Sequence, residues 1–428
     1  MFIKENWKIN FSFLWSGQIL SLLGTSIIQF SLVWWLAQKT GSAIILSLAT
    51  LVTLLPEILV APLIGPIVDR WSRKKILIYA SLIIAFFGFL LMAGYQLDIV
   101  LPWMVLLCLL LRSSANVCRW PALNATAAQI VPERHLTRIN AIDYLIRGAA
   151  GMIGPILGAA LINTVSMETI MLTEIILAVI GVVPLFLIKF PETAASSAPL
   201  PSVPAMFSGN WKELKEGFLY VKRTPGLFRL LIYVSVTNLF LIPGDSLLPL
   251  LISDFFGGGA TELGIMGMAF GIGSIVGSIF LCFSGGFKSR IKTSIFGDLL
   301  YGIGMLLIGT AARDQLPLAI FGWGVAGFGE AFSLATLNAL LQSKTRPEMQ
   351  GRVFSISGSL INFSVPLSMI LSGPAAELFG VHFWYAFSGI SVLILASSMM
   401  YIPSIFRFER YIPVEKQYDP LLNRSESR

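Results

Sequence analysis

Gly65-Pro66-Ile67-Val68-Asp69-Arg70-Trp71-Ser72-Arg73-Lys74-Lys75 sets four cations and one carboxylate between two long apolar stretches. Such a cluster does not cross a bilayer cheaply, and Lys and Arg in short connections are held on the cytoplasmic side. With 66–75 inside, the apolar stretch before it runs inward and the one after it runs outward, so the topology can be counted outward from this point. The four-residue spacing of Gly65 and Asp69 suggests a hinge between two helices rather than a simple anchor.

Composition extends this to the whole chain. Of 428 residues, 55% are hydrophobic and 12% charged, with a mean hydropathy of +0.79, against roughly 25% charged in soluble domains. A soluble core is excluded. A helix needs about 20 apolar residues to span the hydrocarbon layer. Twelve such stretches are predicted, near 11–37, 43–66, 76–96, 101–122, 138–163, 168–189, 227–252, 262–287, 293–312, 316–341, 352–373 and 381–404. The first is long and lacks a small-residue cleavage site, so it is read as a retained helix rather than a signal peptide. Cys108 and Cys118 fall about 15 Å apart along one helix, too far for a bridge, and Cys282 has no evident partner.

The cations test the count, because twelve spans starting inside put Lys and Arg in alternate connections. The N-terminus, the 66–75, 119–138, 189–229, 287–292 and 342–352 connections and the C-terminal tail hold 26 of the 30. Lys39 and Arg313 lie in outer connections, and Arg112 and Arg147 lie inside spans. Both termini are therefore expected in the cytoplasm. The net charge of +7 reads as a face turned toward anionic headgroups, not as a nucleic-acid surface.

Two halves are visible. Leu123-Asn124-Ala125, Pro132-Glu133 and Arg138 recur as Leu337-Asn338-Ala339, Pro347-Glu348 and Arg352, at an offset of 214 residues with one slip. The expected organisation is a six-helix bundle over 1–189, a cytoplasmic linker over 190–226, a second six-helix bundle over 227–404 and a cytoplasmic tail over 405–428. Duplicated transporters place the substrate path at the interface of the repeats.

These residues resemble the major facilitator superfamily over essentially the whole chain. Gly65, Asp69, Arg70, Arg73, Lys74 and Lys75 match its signature between the second and third spans, with Ser72 where a second glycine is usual. The resemblance implies two pseudo-symmetric six-helix bundles, with Asp69 set against the start of the eleventh span near Arg352. On the fifth span, Asp143, Arg147, Gly151, Gly154 and Gly158 fall within about 80 degrees of one another on a helical wheel, a stripe suited to tight helix packing. Gly154-Pro155-Ile156-Leu157-Gly158-Ala159 also resembles the antiporter element of that span, with Ala159 replacing its last glycine, which implies export.

Charged groups within spans need partners or a wet cavity, since each costs about 2.5–3.5 kcal/mol at a helix centre. Arg112 resembles the family's buried fourth-span Arg, implicated in proton coupling. Asp143 and Arg147 can pair along their helix, as an ion pair or a coupling site. Glu57 lies about 13 Å deep. Glu330, in Gly327-Phe328-Gly329-Glu330, has small neighbours that leave room for water or ligand. Asp245, in Pro243-Gly244-Asp245-Ser246, is expected at the outer end of a broken seventh span, lining an external vestibule. Glu330 and Glu57 are the favoured proton carriers, and Trp34, Trp35, Tyr144, Phe240 and Phe270 are candidates for an apolar cavity wall.

Trp15 to Ser21, Lys39 to Ser42, Pro121 to Ala125 and Gly351 to Ser355 are similar to bacterial macrolide efflux proteins. This resemblance implies proton-driven export of amphipathic small molecules from a bacterial plasma membrane. The expected partners are the substrate, protons with Na⁺ as the alternative ion, and the lipid bilayer; no cofactor, metal or nucleic acid is expected. A siderophore or lipid exporter and a symporter of the same fold stand as alternatives. An enzyme is not expected: the histidines, His135 and His382, show no metal-ligand spacing. No Walker loop appears, so primary pumping would need a separate ATP-binding partner protein.

Overall fold

The computed structural model describes the backbone of residues 7–70, 72–187 and 216–410, and the side chains of these except 60–70, 120, 124, 125, 127–129, 133–147, 347, 348, 351 and 355. Twelve long helices follow one another: α1 (Trp7–Thr40), α2 (Ala43–Arg70), α3 (Arg73–Gln96), α4 (Pro102–Ile130), α5 (Glu133–Thr164), α6 (Met167–Leu187), α7 (Leu227–Leu250), α8 (Ala260–Ser284), α9 (Arg290–Thr310), α10 (Leu316–Lys344), α11 (Pro347–Phe379) and α12 (Val381–Met399). A short helix at 216–223 precedes α7, and α13 (Pro403–Arg410) follows α12. Among the described residues nine of these helices are long and apolar enough to cross a membrane, while α2 and α5 contribute shorter apolar stretches at Ala43–Leu59 and Gly148–Thr164. No strand occurs among the described residues.

Three expectations are corrected. The 119–138 connection is shorter than predicted, because α4 stays helical to Ile130 and α5 begins at Glu133. Arg119 is thereby a buried helical residue, 4% exposed, rather than a loop cation. The seventh span is not broken at Asp245: α7 runs through Pro243-Gly244-Asp245-Ser246, and the irregularity comes later as a π-helical turn, Leu251–Phe255. Pro249 has no N–H to give the carbonyl four residues back, so the ladder loses a bond just before it widens. Third, the segment assigned to the tail opens as a helix, α13, whose Ile405 and Phe408 are fully buried while Arg407 and Arg410 face outward.

By Cα proximity the chain forms two compact units. The first comprises 1–207, 246–268 and 372–377, and the second 208–245, 269–371 and 378–428. Within the first, α1 packs on α4, α5 and α6, and α3 on α4 and α6. The same unit ties Ser42 and the Ile44 N–H at the start of α2 to the Glu377 carboxylate, and Asn163 to Thr261 at 2.8 Å.

Within the second unit, α9 packs along both α10 and α12, and its sequence explains the closeness. A Cβ on Gly304 would lie 2.4 Å from the Gly322 carbonyl oxygen, and one on Gly329 would lie 2.4 Å from that of Gly297. With backbones this near, dispersion contacts replace a hydrophobic drive that lipid does not supply. At one end of this unit, Leu227, Leu230 and Leu231 of α7 share a core with Ile291 and Ile295 of α9, Leu341 of α10 and Ile405 and Phe408 of α13.

Candidate functional site

The second unit holds a cavity of about 260 Å³ whose walls come from one face each of three helices and a residue of α11. α7 contributes Tyr233, Thr237, Leu241 and Asp245, each four residues after the last, with Val234, Asn238 and Ile242 beside them. That spacing keeps them on one face. α9 supplies Asp298 and Tyr301, α10 supplies Glu330, Ser333, Leu334 and Leu337, and α11 supplies Ile361.

Three carboxylates therefore meet in one cavity, none of whose described lining residues is basic. Asp298, 5% exposed, accepts a 2.6 Å hydrogen bond from the Tyr233 hydroxyl. Asp245 and Glu330 are electrostatic neighbours. The wall behind them is aromatic. The Tyr301 and Trp323 rings lie 6.4 Å apart, with Phe270 packed against both and Tyr385 against Trp323. Tyr385, fully buried, donates to the Gly244 carbonyl at 2.6 Å and fixes the helical turn that carries Asp245.

Glu330 occupies the place its spacing predicted, near the middle of α10, but the reason for its small neighbours differs. Gly327 and Gly329 are filled by helix packing, a Cβ on Gly327 lying 2.2 Å from the Phe270 carbonyl oxygen, so they leave no open room. Asp245 stands in the same cavity as Glu330 rather than in a separate outer vestibule. Asp298 and Tyr233 were not singled out from the sequence. The signal that marks Glu330, a lone acid in an apolar run, applies equally to Asp298.

The first unit has its own buried polar network. Both guanidinium terminal nitrogens of Arg112 donate to the two carboxylate oxygens of Glu174 on α6, the residues being 6% and 2% exposed. A bidentate pair of this kind meets the desolvation cost of each charge with the other. A Cβ on Gly88 of α3 would stand 3.2 Å from Glu174 Oε2, so that helix closes over the pair. About two turns further along α4, Arg119 donates to Gln18 Oε1 at 2.7 and 3.0 Å, and Gln18 donates to the Gly181 carbonyl at 3.1 Å. Gln18 is thus an adaptor between a buried cation and the α6 backbone.

The remaining candidates are dispersed. Glu57 is an exposed residue of α2 and joins no described hydrogen bond. Gly154 and Gly158 do seat α5 against α1, their Cβ positions falling 2.3 Å from Ser26 Cβ and 2.8 Å from Phe30 Cδ1, while Gly151 meets nothing within 4 Å. The stripe is therefore shorter than the wheel suggested, and Ala159 adds a contact to Gly264. Pro155 lies within the helix. Lys74 sits 5.8 Å over the Phe186 ring, and Ser72 stands at the N-cap of α3 without a side-chain cap bond. Arg352 pairs with Glu216 at 2.7 Å. The side chains of Gly65, Asp69, Arg70, Asp143, Tyr144 and Arg147 lie outside the described residues. Of the proposed wall aromatics, Phe270 backs the cavity, whereas Trp35 packs edge-on against Tyr95 and Phe240 against Phe387. All three cysteines are free.

The sequence profile of the Major Facilitator Superfamily matches residues 14–246 and 244–419. The chain belongs to the Major Facilitator Superfamily. It is 30% identical over 92% of its length to macrolide efflux protein A of Streptococcus pyogenes, covering 95% of that protein. It is 28% identical to macrolide efflux protein A of Enterococcus faecalis over 77% of this chain and the whole of that one. The multidrug efflux pump Tap of Mycolicibacterium fortuitum is 24% identical, over 89% and 92%. Solved structures share the superfamily fold: a bacterial homologue of the human lysosomal transporter Spinster with a TM-score of 0.68 at 14% identity, over 94% of this chain and 97% of that one, and the nucleoside transporter NupG with 0.66 at 16%, over 91% and 99%.

Proposed function

We propose that this chain is a secondary active exporter of amphipathic small molecules of the macrolide type, driven by proton antiport through alternating access, in a bacterial plasma membrane with both termini in the cytoplasm. The observation that carries the reading is the cavity of the second unit. Three carboxylates in a membrane-spanning bundle, with no basic residue among the described lining, are costly unless they exchange protons or bind a cation. A proton-carrying group must lie where substrate and ion can compete for it, and Asp245 and Glu330 share one cavity.

The likeness to macrolide efflux protein A over 92% of the chain supports the substrate class, and the resemblance of Gly154-Pro155 on α5 to an antiporter element supports export. Efflux in inverted vesicles tests the reading. Energised vesicles should accumulate labelled erythromycin, and a protonophore should abolish the accumulation. Accumulation that continues after the gradient collapses contradicts proton coupling.

A further inference from the structure

The end of the second unit at which α7 begins carries a group of cations without acidic partners. Lys222 and Arg223 close the short helix at 216–223, Arg229 lies in the first turn of α7, and Arg407 and Arg410 lie on α13; all five are exposed. None of them joins an ion pair among the described residues. The one acid of α13, Glu409, is engaged elsewhere, accepting from the Ser289 hydroxyl at 2.5 Å and from the Arg290 N–H. That contact ties α13 to the start of α9 and leaves its two arginines unneutralised.

Packing brings these cations together. Gly226 turns the short helix into α7 with φ +83°, and a Cβ there would lie 2.1 Å from the Ser404 carbonyl oxygen and 3.1 Å from Phe408 Cβ, so α13 is pressed onto that turn. One terminal nitrogen of Arg229 donates to Ser404 Oγ at 2.6 Å, and the rest of the guanidinium takes part in no described hydrogen bond. Arg407 follows Ser404 by three residues and Arg410 follows Arg407 by three, so each is a helix neighbour of the one before. The level in the bilayer follows from the spans: α7 and α9 begin here and α12 ends here, at the depth of the headgroups. Between α12 and α13, Met400 and Tyr401 are 54% and 84% exposed, an apolar surface of the kind found where headgroups meet acyl chains. A water-soluble anion or an acidic peptide makes no use of that surface, whereas a lipid does.

We propose that this corner of the second unit, formed by α13 and the start of α7, is a binding site for an anionic phospholipid, with Arg229 and Arg407 on the headgroup phosphate and Met400 and Tyr401 against its acyl chains. Arginine suits the role because its planar fork gives charge-assisted hydrogen bonds to phosphate oxygens. Lys222, Arg223 and Arg410 add charge around the site and attract the anionic leaflet. The proposal is independent of the exported substrate and of the coupling ion.

Native mass spectrometry of the purified full-length protein, released from micelles doped with equal amounts of phosphatidylglycerol and phosphatidylcholine, tests it. Wild type should retain phosphatidylglycerol in preference to phosphatidylcholine, and an excess of inorganic phosphate should not displace it. Arg229→Gln combined with Arg407→Gln should reduce the retained phosphatidylglycerol by roughly tenfold or more while eluting as the wild type does on size exclusion. Lys39→Gln, at the end of α1, should retain it as wild type does. Should the double variant fold poorly, bimane on a cysteine placed at Tyr401, in a background without the three native cysteines, gives the same answer: brominated phosphatidylglycerol should quench it more strongly than brominated phosphatidylcholine. Equal retention or equal quenching by the two lipids, displacement by inorganic phosphate, or unchanged retention in the folded double variant overturns the proposal.

Discussion

The Tyr233 hydroxyl on α7 donates to the Asp298 carboxylate on α9 across 2.6 Å, both residues being at least nine-tenths buried. The bond joins two walls of the cavity and gives a buried acid a short hydrogen bond, with Ser333 as a second partner. Tyr233→Phe removes the shortest of the acid's hydrogen bonds, at about 1–3 kcal/mol. The purified variant should melt several degrees below wild type, and the double variant with Asp298→Asn should melt above Tyr233→Phe alone. An additive double variant would mean that the two side chains are not coupled.

Arg112 and Glu174 form the corresponding lock in the first unit. Breaking a buried pair from one side strands a charge, at about 3–5 kcal/mol, whereas replacing both members with apolar groups is often neutral. Glu174→Gln and Arg112→Met should therefore each reduce the monodisperse yield in detergent strongly, and Arg112→Met with Glu174→Leu should restore most of it. If the yield of the double variant stays at the level of the single ones, the pair is not what requires both residues.

Glycine positions offer an internally controlled test of packing. Alanine at Gly304 must displace the α10 backbone, whereas alanine at Gly148 or Gly151 meets nothing within 4 Å. Overpacking costs about 1–3 kcal/mol, so Gly304→Ala should lower the melting temperature and Gly151→Ala should not. Thermal shift by fluorescence-detected size exclusion reads both, and equal behaviour would contradict the close α9–α10 approach.

The proposed coupling separates Glu57 from Glu330. Glu330 lines the acid cavity and Glu57 is an exposed residue of α2, so Glu330→Gln should abolish gradient-driven export while Glu57→Gln retains at least half of it. Loss in Glu57→Gln with full activity in Glu330→Gln would invert the assignment.

The helices were legible because apolar runs long enough to span a bilayer leave few alternatives, and alternating cations fix their order. Ends were less legible. Arg119 looks like a loop cation by type, and what receives it inside the helix packing is Gln18, a neutral residue 101 positions away. Pro243-Gly244 reads as a break, yet a helix among other helices keeps its course where Tyr385 can bond the Gly244 carbonyl. Glu330 was found because a lone acid in an apolar run is conspicuous. Its company was not, since Asp245, Asp298 and Tyr233 are up to 97 residues away in the chain and meet only through the packing of α7, α9 and α10. The glycines beside Glu330 show how one signal serves two ends: small residues there permit helix contact rather than space for a ligand.

Proton movement through the acid-lined cavity of the second unit is the central claim, and proteoliposomes with an entrapped pH-sensitive dye measure it directly. Erythromycin added to wild-type vesicles should drive a proton flux opposite to its own movement, and Asp245→Asn with Glu330→Gln should reduce that flux to the level of empty liposomes. An undiminished substrate-driven proton flux in the double variant would contradict the account.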